Sequence, residues 1–142
     1  MYDEAEELYK DNLERQERLT GKESLNTILA LNFLAGFYFI KNEPEKGVPY
    51  AEKAVELTSE KPNVSNQTRI MYADTLTLLY ASVNRLDEAY EMAQKLLDDA
   101  LKEYASDQKF IASFHYTLAY VLNKMNRLDE ALDYAQKSYD VR

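Results

Sequence analysis

The sequence contains no cysteine, a single histidine (His115), three glycines and three prolines. The lack of cysteine excludes a disulfide framework, a thiol nucleophile and a cysteine metal site. A single histidine argues against a histidine-based zinc site or a catalytic triad. No apolar run approaches the roughly 20 residues that a membrane helix needs, and the acidic N-terminus MYDEAEELYK does not resemble a signal peptide. We therefore expect a cytoplasmic protein of long regular elements that requires no cofactor and does not bind membranes.

The chain also lacks an excess of positive charge. It has 17 lysines and arginines against 25 aspartates and glutamates, for a net charge of −8. Binding to a phosphate backbone needs clustered basic residues, so a nucleic-acid partner is not expected. The 142 residues, of which 46% are hydrophobic, suffice for one domain with a moderate core.

What the sequence does contain is an internal repeat. The hexapeptide NRLDEA occurs at 84–89 and again at 126–131, a step of 42 residues. The same step taken backwards from Ala89 reaches Gly47 in PEKG and then Ala5 in YDEA. Other columns keep this step, namely Leu34, Leu76 and Leu118; Asn42, Asn84 and Asn126; Ala51, Ala93 and Ala135; and Tyr38, Tyr80 and Leu122. A period of this size usually indicates a solenoid of stacked units.

Apolar spacing within each unit predicts two helices. In TILALNFLAGFYFI, the side chains of Leu31, Leu34, Ala35 and Tyr38 recur at helical intervals. The first helices of the units are predicted at about 25–41, 66–83 and 108–125. The second helices are predicted at about 2–18, 44–60, 86–104 and 128–141.

The segments between the predicted helices contain suitable start and stop residues. The three asparagines of the repeat stand where first helices must end, and Asn tolerates the left-handed conformation needed there. Pro44 suits the first turn of a second helix, and Ser24, Ser65 and Asn66 are candidate N-caps. Leu86 and Leu128 are expected to fill the corner between the two helices of a unit.

The repeat resembles the tetratricopeptide repeat (TPR) in three features. These are the motif L-A-x-x-Y at 34–38, a turn residue at Asn42, and the D-E-A motifs followed by Ala93 and Ala135. The usual TPR period is about 34 residues. The longer period here is similar to that of kinesin light chains and of many bacterial sensor and scaffold proteins. HEAT and armadillo repeats share the period range but lack the column of small residues. Departures from the TPR pattern are Gly47, Thr77 and Leu122.

This resemblance implies an all-α, right-handed α-solenoid of antiparallel helix hairpins, with about seven helices and the first helices on the concave side. The chain forms one repeat domain, with a partial repeat over 1–24, repeats over about 25–65 and 66–107, and a truncated final repeat over 108–142. Because it begins and ends in second helices without a polar cap, we interpret it as a segment of a longer array.

The first helices carry two stripes of different character. The stripe expected to face the second helices is nearly the same in every unit. The neighbouring stripe changes its chemistry from unit to unit, as expected of a binding groove. Its members are Leu29, Asn32, Phe33, Gly36, Phe39 and Ile40; Met71, Asp74, Thr75, Leu78, Ala81 and Ser82; and Ser113, Tyr116, Thr117, Tyr120, Asn123 and Lys124. The candidate peptide-binding residues chosen from it are Leu29, Asn32, Phe39, Met71, Asp74, Leu78, Tyr116, Tyr120, Asn123 and Lys124.

The resemblance implies that an asparagine at the position of Asn32 holds the backbone of an extended peptide. Asp74 and Tyr116 occupy the equivalent positions, so the asparagine ladder is incomplete. Phe39, Tyr116 and Tyr120 are open to a second interpretation, as aromatic packing between adjacent units. His115 is expected to be an interhelix residue rather than a catalytic or sensing one.

The leading functional prediction is a non-catalytic scaffold module that binds a protein or peptide in the concave groove. Two alternatives remain open. The module could self-assemble into a homo-oligomer through uncapped solenoid ends, or it could be the ligand-sensing part of a peptide-responsive regulator. An enzyme is not expected, because the residues offer no nucleophile–base pair, metal cluster or phosphate loop.

Overall fold

The computed structural model describes residues 1–141, which form seven α-helices and no strand. The helices are α1 (Tyr2–Thr20), α2 (Leu25–Ile40), α3 (Pro44–Ser59), α4 (Asn66–Ser82), α5 (Leu86–Tyr104), α6 (Gln108–Lys124) and α7 (Leu128–Val141). Each observed boundary lies within two residues of its predicted position. The predicted all-α solenoid of helix hairpins is confirmed, with α2, α4 and α6 as first helices and α1, α3, α5 and α7 as second helices.

Side-chain caps fix the starts of the three first helices. Ser24 Oγ accepts a hydrogen bond from the backbone N–H of Thr27 at 3.1 Å, and Ser65 Oγ accepts one from Thr68 at 3.2 Å. Both bonds satisfy a backbone donor that the first turn of a helix leaves free. Asn66 is the first residue of α4 rather than its cap, so that alternative is wrong. The third cap, which the sequence analysis missed, is Asp107, whose carboxylate accepts from the N–H of Phe110 at 3.1 Å.

The three repeated asparagines end the first helices as predicted. Their φ angles are 66° at Asn42, 69° at Asn84 and 63° at Asn126, all in the left-handed region. After α4, the N–H of Arg85 donates to the carbonyl of Tyr80 at 2.8 Å, and the N–H of Asn84 donates to Ala81 at 3.2 Å. Equivalent bonds close the other two turns. This is the Schellman pattern, which satisfies carbonyls at the end of a helix and reverses the chain.

Small residues allow the two helices of each hairpin to approach closely. Gly47, Ala89 and Ala131 are all buried at this crossing. At Gly47 even a methyl group would lie 3.0 Å from the carbonyl oxygen of Ala35 and 3.0 Å from Leu79 Cδ2. At these three positions, the small residue that ends the PEKG or D-E-A motif therefore leaves room for the neighbouring helix.

The prediction that Leu86 and Leu128 fill equivalent corners holds only for the first. Leu86 is half-buried against the core that α4, α5 and α6 share. Leu128 is 56% exposed, so its predicted packing is wrong. The physical reason is that α6 packs beside α5, whereas no described helix packs on the far side of α7.

The core lies between the helices and forms two clusters, one around α2 and α3 and one around α4, α5 and α6. The predicted inward stripe is buried in each unit, except that Ala73 and His115 are half-buried. Its members are Leu31, Leu34, Ala35 and Tyr38; Ala73, Leu76, Thr77 and Tyr80; and His115, Leu118, Ala119 and Leu122. Leu57 and Ala54 from α3 complete the core around α2, and Leu96 and Leu97 from α5 complete the core around α4 and α6. Each unit therefore buries its apolar side against the next unit, as in other solenoids.

Tyrosines on the first helices also tie neighbouring units together. The Tyr38 hydroxyl donates to Glu6 on α1 at 2.8 Å, and Lys41 donates to the same carboxylate at 2.7 Å. The bond from Lys41 is the main reason that the pKa of Glu6 falls to about 2. In the following unit the Tyr80 hydroxyl donates to Glu52 on α3 at 2.6 Å.

Candidate functional site: the inner face of the first helices

The first helices form a layer of their own. Helix α2 packs against α4, and α4 packs against α6, while no two second helices approach each other along the described backbone. A stack in which one set of helices is close and the other is spread apart curves toward the close set. We call the surface of α2, α4 and α6 that faces away from the second helices the inner face. It is formed by most of the stripe defined above, of which Leu29, Met71 and Tyr116 are exposed members, whereas Ala81 and Thr117 are buried.

Three apolar side chains of the inner face are exposed to solvent, and they lie at the same or nearly the same position of the repeat. Leu29 is 41% exposed, Met71 is 50% exposed and Tyr116 is 45% exposed. Phe33 and Ile40 on α2 are also exposed, although neither was among the candidates chosen from the sequence. Leu78 is half-buried, while Asn123 and Lys124 are exposed at the end of α6. The inner face thus presents an apolar stripe that no described helix covers.

An aromatic cluster joins the three first helices. Phe39 on α2 packs edge-on against Tyr120 on α6, with ring centroids 5.6 Å apart. The Tyr120 hydroxyl lies 2.7 Å from the hydroxyl of Ser82 on α4, and Lys124 Nζ lies 5.6 Å from the Tyr120 ring. Phe39 and Tyr120 therefore pack against each other, but between helices two repeats apart rather than between adjacent units. Tyr116 lies beside Tyr120 at 6.5 Å but keeps its ring accessible.

Asp74 lies at the centre of the inner face, between α4 and α6. Its Oδ1 accepts a hydrogen bond from the Thr117 hydroxyl at 2.7 Å. Burial raises the pKa of Asp74 to about 7, and the bond from Thr117 offsets part of that rise. No charged side chain among the described residues lowers the pKa of this carboxyl group.

Asn32 occupies the position equivalent to Asp74 on the neighbouring helix. The residue is half-buried, and its Oδ1 is buried with no hydrogen-bond partner among the described residues. A buried acceptor without a donor is unfavourable by about 1–3 kcal/mol. The inner face therefore contains two acceptors in the same register that lack a full set of donors.

Two hydroxyl side chains, Ser82 and Thr117, are polar partners within the inner face that were not predicted from the sequence. Ser82 and Thr117 belong to the variable stripe but were not chosen as candidates. The Ser82 hydroxyl donates to the Leu78 carbonyl and also contacts the Tyr120 hydroxyl on α6. The Thr117 hydroxyl has one proton, which the Ser113 carbonyl and Asp74 on α4 share. The repeat register was the available signal, because it places Thr117 beside the column of Asn32, Asp74 and Tyr116.

His115 lies outside the inner face. Its ring is half-buried and faces Tyr134 of α7 at 6.0 Å, with Nδ1 unpaired among the described residues. Burial, with a smaller contribution from Lys137, lowers its pKa. The predicted interhelix position of His115 is confirmed.

Over residues 1–141, no group of three acidic or histidine side chains is placed to hold a metal ion. None of the helices in this range is both long enough and apolar enough to cross a bilayer.

The sequence matches no protein-family model, and no curated protein is significantly similar to it. Solved structures are similar over 99% of the chain. A kinesin light chain protein of Podosopora anserina with nearly identical TPR-like repeats gives a TM-score of 0.73, and a single-substitution variant of it gives 0.77, both at 17% identity. The fold is that of a kinesin-light-chain-like TPR array. The structure of BtubC (BKLC) from P. vanneervenii is also similar, with a TM-score of 0.76 and 20% identity. The chain spans 66% of the first two proteins and 56% of the third.

Proposed function

We propose that this chain is a non-catalytic protein-interaction module that binds an extended or amphipathic peptide along its inner face. One observation carries this proposal. The stripe that packs against the second helices is nearly constant from unit to unit, whereas the inner face changes its residues in each unit. Packing requires repetition, while recognition of a particular peptide requires different contacts at successive positions.

The chemistry of the inner face supports a peptide rather than a nucleic acid or a small charged ligand. Exposed Leu29, Met71 and Tyr116 provide contacts for apolar side chains. Asn32 and Asp74, in the same register on neighbouring helices, each provide a hydrogen-bond acceptor. The net charge of −8 disfavours a phosphate backbone. The kinesin light chain and BtubC structures support the fold that carries this surface.

Affinity selection from a random peptide library tests the proposal. The wild-type chain should enrich a family of related peptides of about 12 residues, which span the inner face in an extended conformation. The double variant Asn32→Ala, Tyr116→Ala should lose most of that enrichment. Both side chains are accessible or lack partners, so the fold should survive. A matched double variant on the outer surface, Lys53→Ala, Glu91→Ala, should behave as wild type. Equal enrichment by all three proteins would place binding elsewhere.

Self-assembly is a second candidate, supported by the far side of α6 and α7. A groove of about 260 Å³ there is lined by Ala119, Asn123, Leu128, Ala131, Leu132 and Ala135. One repeat earlier, the equivalent side of α4 and α5 is covered by α6. Leu132 is 69% exposed, so a second copy that covered this groove would bury a substantial apolar side chain.

Light scattering at two protein concentrations tests this second candidate. Self-assembly predicts a mass that rises with concentration, and Leu132→Glu should return the protein to a monomer. A wild-type chain that stays monomeric at both concentrations would contradict it.

A further inference from the structure

At Asp74 the inner face has open hydrogen-bond acceptors and no positively charged partner among the described residues. Resting on the function proposed above, we propose that Asp74 binds a basic side chain, arginine or lysine, of the peptide that occupies the inner face.

The acceptor sites of Asp74 and Asn32 are only partly occupied by donors of the fold. A carboxylate offers about four acceptor sites on its two oxygens, and Asp74 receives one bond, from Thr117. Asn32 Oδ1, in the same register on α2, receives none from the described residues. Lysine and arginine carry only donors. A basic side chain beside these residues therefore satisfies acceptors that the fold leaves open.

Other carboxylates that the fold partly covers are paired with lysine, whereas Asp74 is not. Glu6 has Lys41 at 2.7 Å and Lys10 at 3.0 Å, and Glu43 has Lys41 at 2.9 Å. Each of these carboxylates has a lowered pKa because it is paired with a lysine. Asp74 is half-buried as they are but has no such partner, and burial disfavours its ionised form in the free protein. Buried charges in proteins are normally paired.

The side chains around Asp74 also suit a basic side chain. The exposed ring of Tyr116 lies at the equivalent position on α6, where it is available to stack on a guanidinium group. Lys124, the one cation of the inner face in the described chain, lies over the Tyr120 ring rather than against Asp74. The net charge of −8 favours the approach of a basic partner over an acidic one.

Matched peptide pools test the inference directly. Each pool contains peptides of about 12 residues with one fixed central residue and only uncharged residues elsewhere. The fixed residue is arginine in one pool and citrulline, its neutral isostere, in the other. Wild type should retain the arginine pool about tenfold better than the citrulline pool, because citrulline carries no charge and cannot form the charge-assisted hydrogen bond to Asp74. Asp74→Asn should bring the two pools to nearly equal retention, while Asp98→Asn, which removes an exposed carboxylate from α5, should leave the preference intact.

The pH dependence provides a second readout, which a merely structural role of Asp74 would not produce. Neither arginine nor citrulline changes its charge between about pH 5 and about pH 8. The other titratable side chains of the inner face are Tyr116, Tyr120 and Lys124, all on α6 and all retained in the Asp74→Asn variant. The preference of wild type for arginine should therefore rise with pH as Asp74 ionises, and the Asp74→Asn variant should show no such rise.

The outcomes separate this inference from the function on which it rests. An unchanged preference for arginine in a folded Asp74→Asn protein would overturn the role of Asp74. Equal retention of both pools by wild type, abolished by Asn32→Ala, Tyr116→Ala, would overturn the inference and leave peptide binding standing. Failure of wild type to retain either pool would overturn both.

Discussion

At the scale of single residues, Asp74 couples the stability of the fold to pH. Its pKa is about 7 in the folded chain, against an ordinary value of 3.8. The folded state therefore favours the protonated acid. The stability that this preference contributes is complete below about pH 4 and is lost as the pH rises through about 7.

Asp74→Asn should remove this dependence. Asparagine has nearly the same shape and can still accept the hydrogen bond from Thr117, but it carries no charge. Relative to wild type, the variant should gain stability as the pH rises from about 4 to about 8, by a few kcal/mol at about 1.4 kcal/mol per pKa unit. Glu6, whose pKa is lowered to about 2, acts in a lower pH range. Urea unfolding of both proteins across this range is the measurement, and parallel curves would contradict the burial of Asp74.

Gly47 is the residue at which added volume should be tolerated least. Gly47→Ala would press a methyl group against the Ala35 carbonyl, which belongs to the backbone of α2 and cannot move aside. We expect a loss of about 1–2 kcal/mol, since overpacking exceeds the gain in helix propensity. Gly36→Ala is the matched control, because nothing lies within 4 Å of its added methyl group. It should stabilise the protein by about 0.5–1 kcal/mol. Thermal unfolding distinguishes the two, and a stabilised Gly47→Ala would refute close helix contact at this point.

At the scale of elements, the reversal after each first helix depends on a left-handed asparagine. Asn84→Ala places a Cβ-bearing residue without a compensating side chain at a φ of 69°. It should destabilise the chain by about 1 kcal/mol. Asn84→Gly should be neutral or stabilising, because glycine adopts this conformation freely. Asn123→Ala, in the last turn of α6, should have little effect. Equal losses for the alanine and glycine variants at position 84 would show that the Asn84 side chain, not its backbone conformation, is what matters.

Most of the elements could be predicted because their ends are determined locally. Asparagine at the turn and serine at the cap act through their own neighbours, so the helix boundaries followed from the sequence. Asp107 was overlooked as a cap, although the three-residue loop before α6 places two cap-type residues, Ser106 and Asp107, next to each other. The exposure of Leu128 could not be predicted from its repeat column, since burial depends on the helix that packs next to it rather than on the residue itself.

The polar contacts between elements were less accessible to sequence reasoning. The bond from Thr117 to Asp74 joins residues 43 positions apart, and the pairing of Phe39 with Tyr120 spans two repeats. The register placed these residues on the inner face. Whether a side chain on that face packs or stays open depends on the distance between first helices, which the sequence does not state.

At the scale of the whole molecule, stability arises from contact between units. Leu76→Ala, in the central unit, should cost about 2–5 kcal/mol, because Leu76 is buried between α4 and its neighbours. The exposed Leu132→Ala should cost less than about 0.5 kcal/mol. Chemical denaturation gives both values. A similarly small loss for Leu76→Ala would mean that the assigned register is wrong.

The central claim is that the inner face of α2, α4 and α6 binds a peptide. Backbone amide chemical shifts, recorded by NMR while the most enriched library peptide is titrated into the wild-type chain, test it most directly. We predict that the largest changes fall within 29–40, 71–82 and 113–124, with Asp74 among the residues most affected. Changes confined to the outer second helices, or to the far side of α6 and α7 around Leu132, would contradict it.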